Sequence, residues 1–185
     1  MKVKNRHERL SGLKKLQVLD FSSNNDDIKE SDVVSVLELN DFISLKELYI
    51  SDNQFRSFGT IYGLRNLKVL NLRSNAFNNN IFSSLKGLSS LESLFLSQNE
   101  IKGTVQINEL YAPNDLVELD LSDNEIENFN TSKELRHLSR LERLFLDNSP
   151  LNANFLQSIG VMTSLKILSL NSVWNQGHPP QPRVV

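Results

Sequence analysis

The stretch Leu67-Lys68-Val69-Leu70-Asn71-Leu72-Arg73-Ser74-Asn75 decides the architecture of this chain. Its apolar residues stand at Leu67, Leu70 and Leu72, and an asparagine closes it. Two other copies keep every one of these positions: Leu91, Leu94, Leu96, Asn99 and Leu116, Leu119, Leu121, Asn124. Four looser copies read Leu16, Leu19, Phe21, Asn24; Leu45, Leu48, Ile50, Asn53; Leu141, Leu144, Leu146, Ser149; and Leu165, Leu168, Leu170, Val173. The first leucines are separated by 29, 22, 24, 25, 25 and 24 residues. A unit of that size cannot bury its own apolar face and must stack on its neighbours. The chain is therefore expected to be a solenoid.

Within each unit the second leucine and the apolar residue two places later alternate with a variable residue, which is strand periodicity. Leu94 and Leu96 point inward and Phe95 between them points outward. Stacking then joins the short strands into one parallel sheet. The closing asparagine ends the strand, and its amide can satisfy backbone groups in the turn. Asn24, Asn53, Asn75, Asn99 and Asn124 are expected to form an internal ladder. Ser149 and Val173 interrupt it, so the last two turns are expected to be less regular.

The rest of each unit has room only for a turn or a short 3-10 segment. The long first gap is the exception, where Asp32 is placed to cap a short helix carrying Val33, Val36 and Leu37 inward. Asn78-Asn79-Asn80 and Asn128-Phe129-Asn130 read as loops. Residues 13–174 are expected to form the repeat domain. Residues 1–12 read as a poorly ordered segment or improvised cap, and 175–185 as an extended or disordered tail.

Composition narrows the function. The 185 residues carry a net charge of −2, which disfavours nucleic acid or an anionic membrane as main partner. No apolar run is long enough to span a bilayer, and the basic start is followed by no apolar leader segment. Cysteine is absent, which removes disulfides, thiolate metal sites and cysteine nucleophiles; that usage fits a reducing compartment or a piece of a larger protein. His7, His137 and His178 lie in unrelated segments and suggest no catalytic triad. No phosphate-binding glycine loop occurs. The acidic stretches at Asn24–Asp27 and Ser122–Glu125 lack the central glycine and terminal glutamate of a calcium loop. No catalytic residue, cofactor or metal site is expected.

The repeat core, with Leu91-Glu92-Ser93-Leu94-Phe95-Leu96-Ser97-Gln98-Asn99-Glu100-Ile101-Lys102-Gly103-Thr104-Val105 as its fullest example, resembles the plant leucine-rich-repeat receptor-like proteins. Gly103 and Val105 match the glycine and isoleucine of the family's L-x-G-x-I extension. The resemblance runs over about residues 10–173. It implies an α/β leucine-rich-repeat horseshoe with a concave parallel sheet of about seven strands and a convex side of irregular, 3-10 or short helical segments. It also implies an ectodomain fragment or truncated relative that recognises a protein or peptide ligand, with a co-receptor kinase as further partner, at the cell surface in signalling or defence. An intracellular protein-interaction scaffold in the cytoplasm is the alternative.

The outward columns of the sheet are the candidate surface. The residues between the paired core positions are Asp20, Tyr49, Asn71, Phe95, Asp120, Phe145 and Ser169. Those just before the second leucine are Val18, Glu47, Val69, Ser93, Glu118, Arg143 and Ile167. From these, Tyr49, Asn71, Phe95, Asp120, Arg143 and Phe145 are the candidate protein-binding residues, since exposed aromatics are typical interface anchors. Asn130-Thr131-Ser132 is a glycosylation sequon, with Asn130 as the acceptor if the chain is secreted.

Overall fold

A computed structural model describes residues 12–24, 37, 39–59, 61, 63–106, 115–130, 138–160 and 162–173. Seven three-residue strands take up the repeat cores: β1 Val18–Asp20, β2 Glu47–Tyr49, β3 Val69–Asn71, β4 Ser93–Phe95, β6 Glu118–Asp120, β8 Arg143–Phe145 and β9 Ile167–Ser169. They form one parallel sheet in the order β1-β2-β3-β4-β6-β8-β9. The register never slips. Leu19, Leu48, Leu70, Leu94, Leu119, Leu144 and Leu168 stand side by side across it.

That register follows from burial. Leu48, Leu70, Leu94 and Leu144 have no exposed surface, and neither do Ile50, Leu72, Leu96, Leu121 and Leu146. Removing each such side chain from water contributes about 1.5–3 kcal/mol, and a one-residue slip would turn all of them outward. The inner stack also contains a column that the repeat reading left out. Phe55, Phe77, Ile101, Ile126 and Leu151 each follow the closing position by two residues, and all are buried. At the two ends the same packing has a neighbour on one side only: Leu168 is 39% exposed and Leu19 is partly buried.

The asparagine ladder is present and extends between repeats. Asn99 Nδ2 donates to the carbonyls of Leu96 and Ser97 in its own turn and to that of Leu72 one repeat earlier, while its Oδ1 accepts the Phe77 N–H. Asn75 and Asn124 repeat the pattern, bridging to Ile50 and Leu96. The residue before the closing position is left-handed in every repeat: Ser23, Asp52, Ser74, Gln98, Asp123, Asn148 and Ser172 all lie at φ between 50° and 58°. Asn148 and Ser172 keep that left-handed residue although Ser149 and Val173 follow them, so the expected loosening does not appear in this backbone angle. The backbone bond from Asn148 N–H to Asn171 O, 2.8 Å, holds the turn where no asparagine side chain does.

Opposite the long sheet the chain is irregular but not loop throughout. A 3-10 turn covers Leu39–Asp41, a short helix α1 covers Ile81–Ser84 and runs into a 3-10 turn at Leu85–Gly87, and a second helix α2 covers Phe155–Ile159. The stretch Asn128–Asn130, read as a loop, belongs instead to strand β7, Glu125–Asn130, which pairs in parallel with β5, Lys102–Gln106. Val105, Ile126 and Phe129 drive that pairing by entering the shared core, and Phe129 packs on Phe155 of α2 with ring centroids 5.7 Å apart. A bulge between Gly103 and Thr104 is made where Gly103 takes φ 64°. Gly63 and Gly87 hold adjacent repeats close: a Cβ at Gly63 would lie 2.4 Å from the Asn40 carbonyl oxygen, and one at Gly87 2.8 Å from that of Ile61. Leu37 is buried, whereas Asp32, Val33 and Val36, residues 1–11 and the tail 175–185 lie outside the described residues.

Candidate functional site

The sheet register lines up the outward residues into columns. Val18, Glu47, Val69, Ser93, Glu118, Arg143 and Ile167 are direct neighbours, and so are Asp20, Tyr49, Asn71, Phe95, Asp120, Phe145 and Ser169. A third column, missed in the sequence reading, continues the alternation one step past each strand: Ser22, Ser51, Arg73, Ser97, Ser122, Asp147 and Asn171. Its signal was in the sequence, because the residue after each second core position is polar in all seven repeats.

The first candidate, Tyr49, is half-buried, and its hydroxyl donates to Glu47 Oε2 at 2.8 Å. That hydrogen bond to a carboxylate, with partial burial and the nearby Asp20 charge added, raises the phenol above its ordinary pKa. Asn71 is half-buried and its Oδ1 accepts the Arg73 N–H at 3.1 Å. Arg143 donates to Glu118 Oε2 at 3.2 Å, across adjacent strands. Phe145 is half-buried beside it in the register, between Asp120 and Ser169.

Two candidates are not open in the way the alternation implied. Asp120 is only 4% exposed. Its Oδ1 accepts the Ser122 N–H at 3.1 Å and its Oδ2 pairs with Arg73 Nη2. Arg73 reaches two repeats forward to make that pair, and on the way its Nε donates to Ser97 Oγ at 2.6 Å. Its guanidinium carbon lies 5.8 Å from the centroid of Phe95. Phe95 is therefore half-buried under a cation, a favourable arrangement for an aromatic face. Arg73, Phe95, Ser97 and Asp120 form one cluster at the middle of the sheet.

Polar groups at the margins tie neighbouring repeats. Lys68 pairs with Glu92 at 2.6 Å and Lys166 with Glu142 at 2.8 Å. The Lys166 hydrogen bond holds the Glu142 carboxyl below its ordinary pKa. Asp147 is pushed up by desolvation, but bonds from Ser169 Oγ and from the Asn171 N–H and Nδ2 outweigh that and leave it lowered. Asp20 is lowered by its hydrogen bonds with Ser22. Among the described residues no group of His, Asp and Glu is arranged to hold a metal, and no helix is long and apolar enough to cross a membrane. Asn130 is not on this face. It is the last residue of β7, across the core, rather than a loop residue, and Thr131 and Ser132 lie outside the described residues.

A family model described as leucine rich repeat matches residues 43–101, and a second so described matches 113–128. The chain belongs to the leucine-rich-repeat proteins. An internalin from Listeria monocytogenes shares the fold, with a TM-score of 0.67 and 26% identity over 87% of this chain and 43% of that one. Within the family its repeats are similar to those of plant receptor-like proteins. Receptor like protein 21 of Arabidopsis thaliana is 33% identical over 75% of this chain and 15% of its own length, and Cuscuta receptor 1 of Solanum lycopersicum is 34% identical over 74% and 17%. The chain thus spans less than a fifth of the length of these relatives.

Proposed function

We propose that the chain is a non-catalytic recognition array whose concave sheet face binds a protein or peptide. Tyr49, Asn71, Phe95, Asp120, Arg143 and Phe145 lie in the columns that would meet it, and Arg73 joins them. The observation that carries this reading is the unbroken register of seven strands, which sets half-buried aromatic and charged side chains in straight lines on one face. Paired side chains such as Arg73–Asp120 and Arg143–Glu118 arrive already ordered, so little conformational entropy is lost when a ligand docks on them. The finer reading is ligand sensing in signalling or defence, with a co-receptor kinase as second partner. It is supported by similarity to proteins named as receptors and receptor-like proteins.

The test is selection of peptides from a displayed random library on the purified chain. Phe145→Ser is expected to weaken the selected peptides about thirtyfold, the effect of removing a 2 kcal/mol interface anchor. Lys102→Ala, across the core on β5, is expected to leave them unchanged. Selected peptides indifferent to Phe145, Phe95 and Tyr49 together would move the site elsewhere.

A further inference from the structure

The aromatic residues in the central column fall on every second strand. Tyr49 is on β2, Phe95 on β4 and Phe145 on β8, with Asn71 on β3 and Asp120 on β6 between them. Adjacent strands are about 4.8 Å apart, so the aromatics recur at about 9.6 Å and span about 19 Å. A ligand laid across the strands meets this spacing as a ruler. A fully extended peptide presents the same side every two residues, about 6.6 Å, and misses it. Two turns of an α-helix advance about 10.8 Å, which accumulates an error of about 2.4 Å over the span. A polyproline II segment has three residues per turn and a rise of about 3.1 Å, so it repeats at about 9.3 Å and is short by only about 0.6 Å at the far end.

Building on the recognition reading above, we propose that this strip takes a proline-rich segment in the polyproline II conformation. Apolar residues at positions one, four and seven of the segment, with proline foremost, rest on Tyr49 and Phe145 at the ends and, between them, against Phe95 together with the Arg73 guanidinium that lies over its ring. Polyproline II has no internal hydrogen bonds, so its carbonyls need outside donors. The face supplies them near the polar rungs. Arg73 and Arg143 keep 50% and 35% of their side chains exposed, although one edge of each is paired. Flat aromatic faces interleaved with donors are the surface that this peptide conformation uses elsewhere.

Two pools of fluorescein-labelled peptides of identical composition test the proposal, measured by fluorescence polarisation against the full chain. One pool fixes proline at positions one, four and seven with the other positions randomised; the other fixes it at one, three and five. The period-three pool is expected to bind at least tenfold tighter, and Tyr49→Ser, Phe95→Ser and Phe145→Ser each to remove at least a tenfold share. Thermal melts confirm that the variants fold, and Phe95→Tyr, which keeps the ring, is expected to keep the binding. Equal binding of the two pools, or no binding of either, overturns the proposal whatever the variants do. The library selection separates this failure from that of the broader reading. Concave-dependent peptides without a period of three would sink the polyproline assignment alone, whereas peptides indifferent to the concave aromatics would sink both.

Discussion

Replacing Asn99 by alanine isolates what the ladder contributes. The side chain makes four contacts: Nδ2 to the carbonyls of Leu72, Leu96 and Ser97 at 3.0, 3.0 and 3.2 Å, and Oδ1 to the Phe77 N–H at 3.0 Å. Two protons shared among three carbonyls, with one accepted bond, amount to about three full hydrogen bonds, each worth about 1 kcal/mol net. The backbone groups left behind lie in the packed turn between repeats, so the loss is not offset by water. A cost of about 3 kcal/mol follows, or a melting temperature lower by roughly 6–12 °C for a chain of this size. Asn24 is the internal control. Its side chain is exposed and, among the described residues, its Nδ2 bonds only within its own turn, to Phe21 and Ser22. Alanine there is expected to cost below about 1 kcal/mol. Both variants are compared with the parent by urea titration followed by circular dichroism. Equal costs at the two positions would show that the bridge between repeats contributes nothing beyond turn propensity, and the reasoning would fail.

The remaining predictions concern other joints of the stack. Ser149 occupies the ladder position one repeat beyond Asn124 and its buried Oγ has no hydrogen-bond partner; Ser149→Asn is expected to raise stability by about 1 kcal/mol, and a lower urea midpoint would refute it. Gly63→Ala drives a methyl into the Asn40 carbonyl and is expected to cost about 1–3 kcal/mol, checked by the same titration. Arg73→Met strands the covered Asp120 carboxylate; discounted for the half-exposed guanidinium, the cost is about 1–2 kcal/mol, and a double variant with Asp120→Asn should recover part of it. The Asp20, Glu142 and Asp147 carboxyls are lowered by folding, so their stabilisation is complete above their unfolded pKa values and is lost as pH falls through the folded ones. Stability should therefore drop below about pH 4, and Asp147→Asn should make that drop shallower; an unchanged pH profile would exclude Asp147 as a contributor.

The long sheet was legible because its information is local. Three apolar positions and a closing asparagine recur in one unit, and each unit repeats the argument of the last. The columns of the concave face followed from the same alternation, and so did the neighbours of Tyr49, Phe95 and Phe145. What those side chains do to one another was not legible. Arg73 and Asp120 are 47 residues apart, and only the strand spacing brings the guanidinium over Phe95 and onto a carboxylate that the alternation assigned to solvent. Strand β7 was hidden for a related reason. Asn128 and Asn130 are loop formers by propensity, and the pairing with β5 depends on Val105 and Phe129 meeting across a repeat rather than on either segment alone. Gly63 and Gly87 did carry a signal, since their separation of 24 residues is the repeat length, but scattered glycines do not show which of them face a neighbouring backbone.

The error at Ser149 and Val173 separates shape from energy. Losing the asparagine was expected to loosen the turn, yet Asn148 and Ser172 hold φ at 56° and 57°, within the range of the intact copies. Stacking explains this. Each turn before the last donates one backbone bond to the next, among them Ser74 to Ser97, Gln98 to Ser122, Asp123 to Asp147 and Asn148 to Asn171, all between 2.7 and 3.0 Å, and the last turn is held as the acceptor of the Asn148 bond. A left-handed residue is tolerated at each step because serine, aspartate, asparagine and glutamine lack a β-branch. The turn geometry is thus imposed by the neighbouring repeat, while the asparagine side chain adds hydrogen bonds to a shape that already exists. That division predicts that Asn99→Ala lowers stability without moving the columns of the concave face. Peptides selected on the parent chain should accordingly bind the folded variant with unchanged affinity, and a loss of binding at temperatures where it remains folded would show that the amide shapes the face as well.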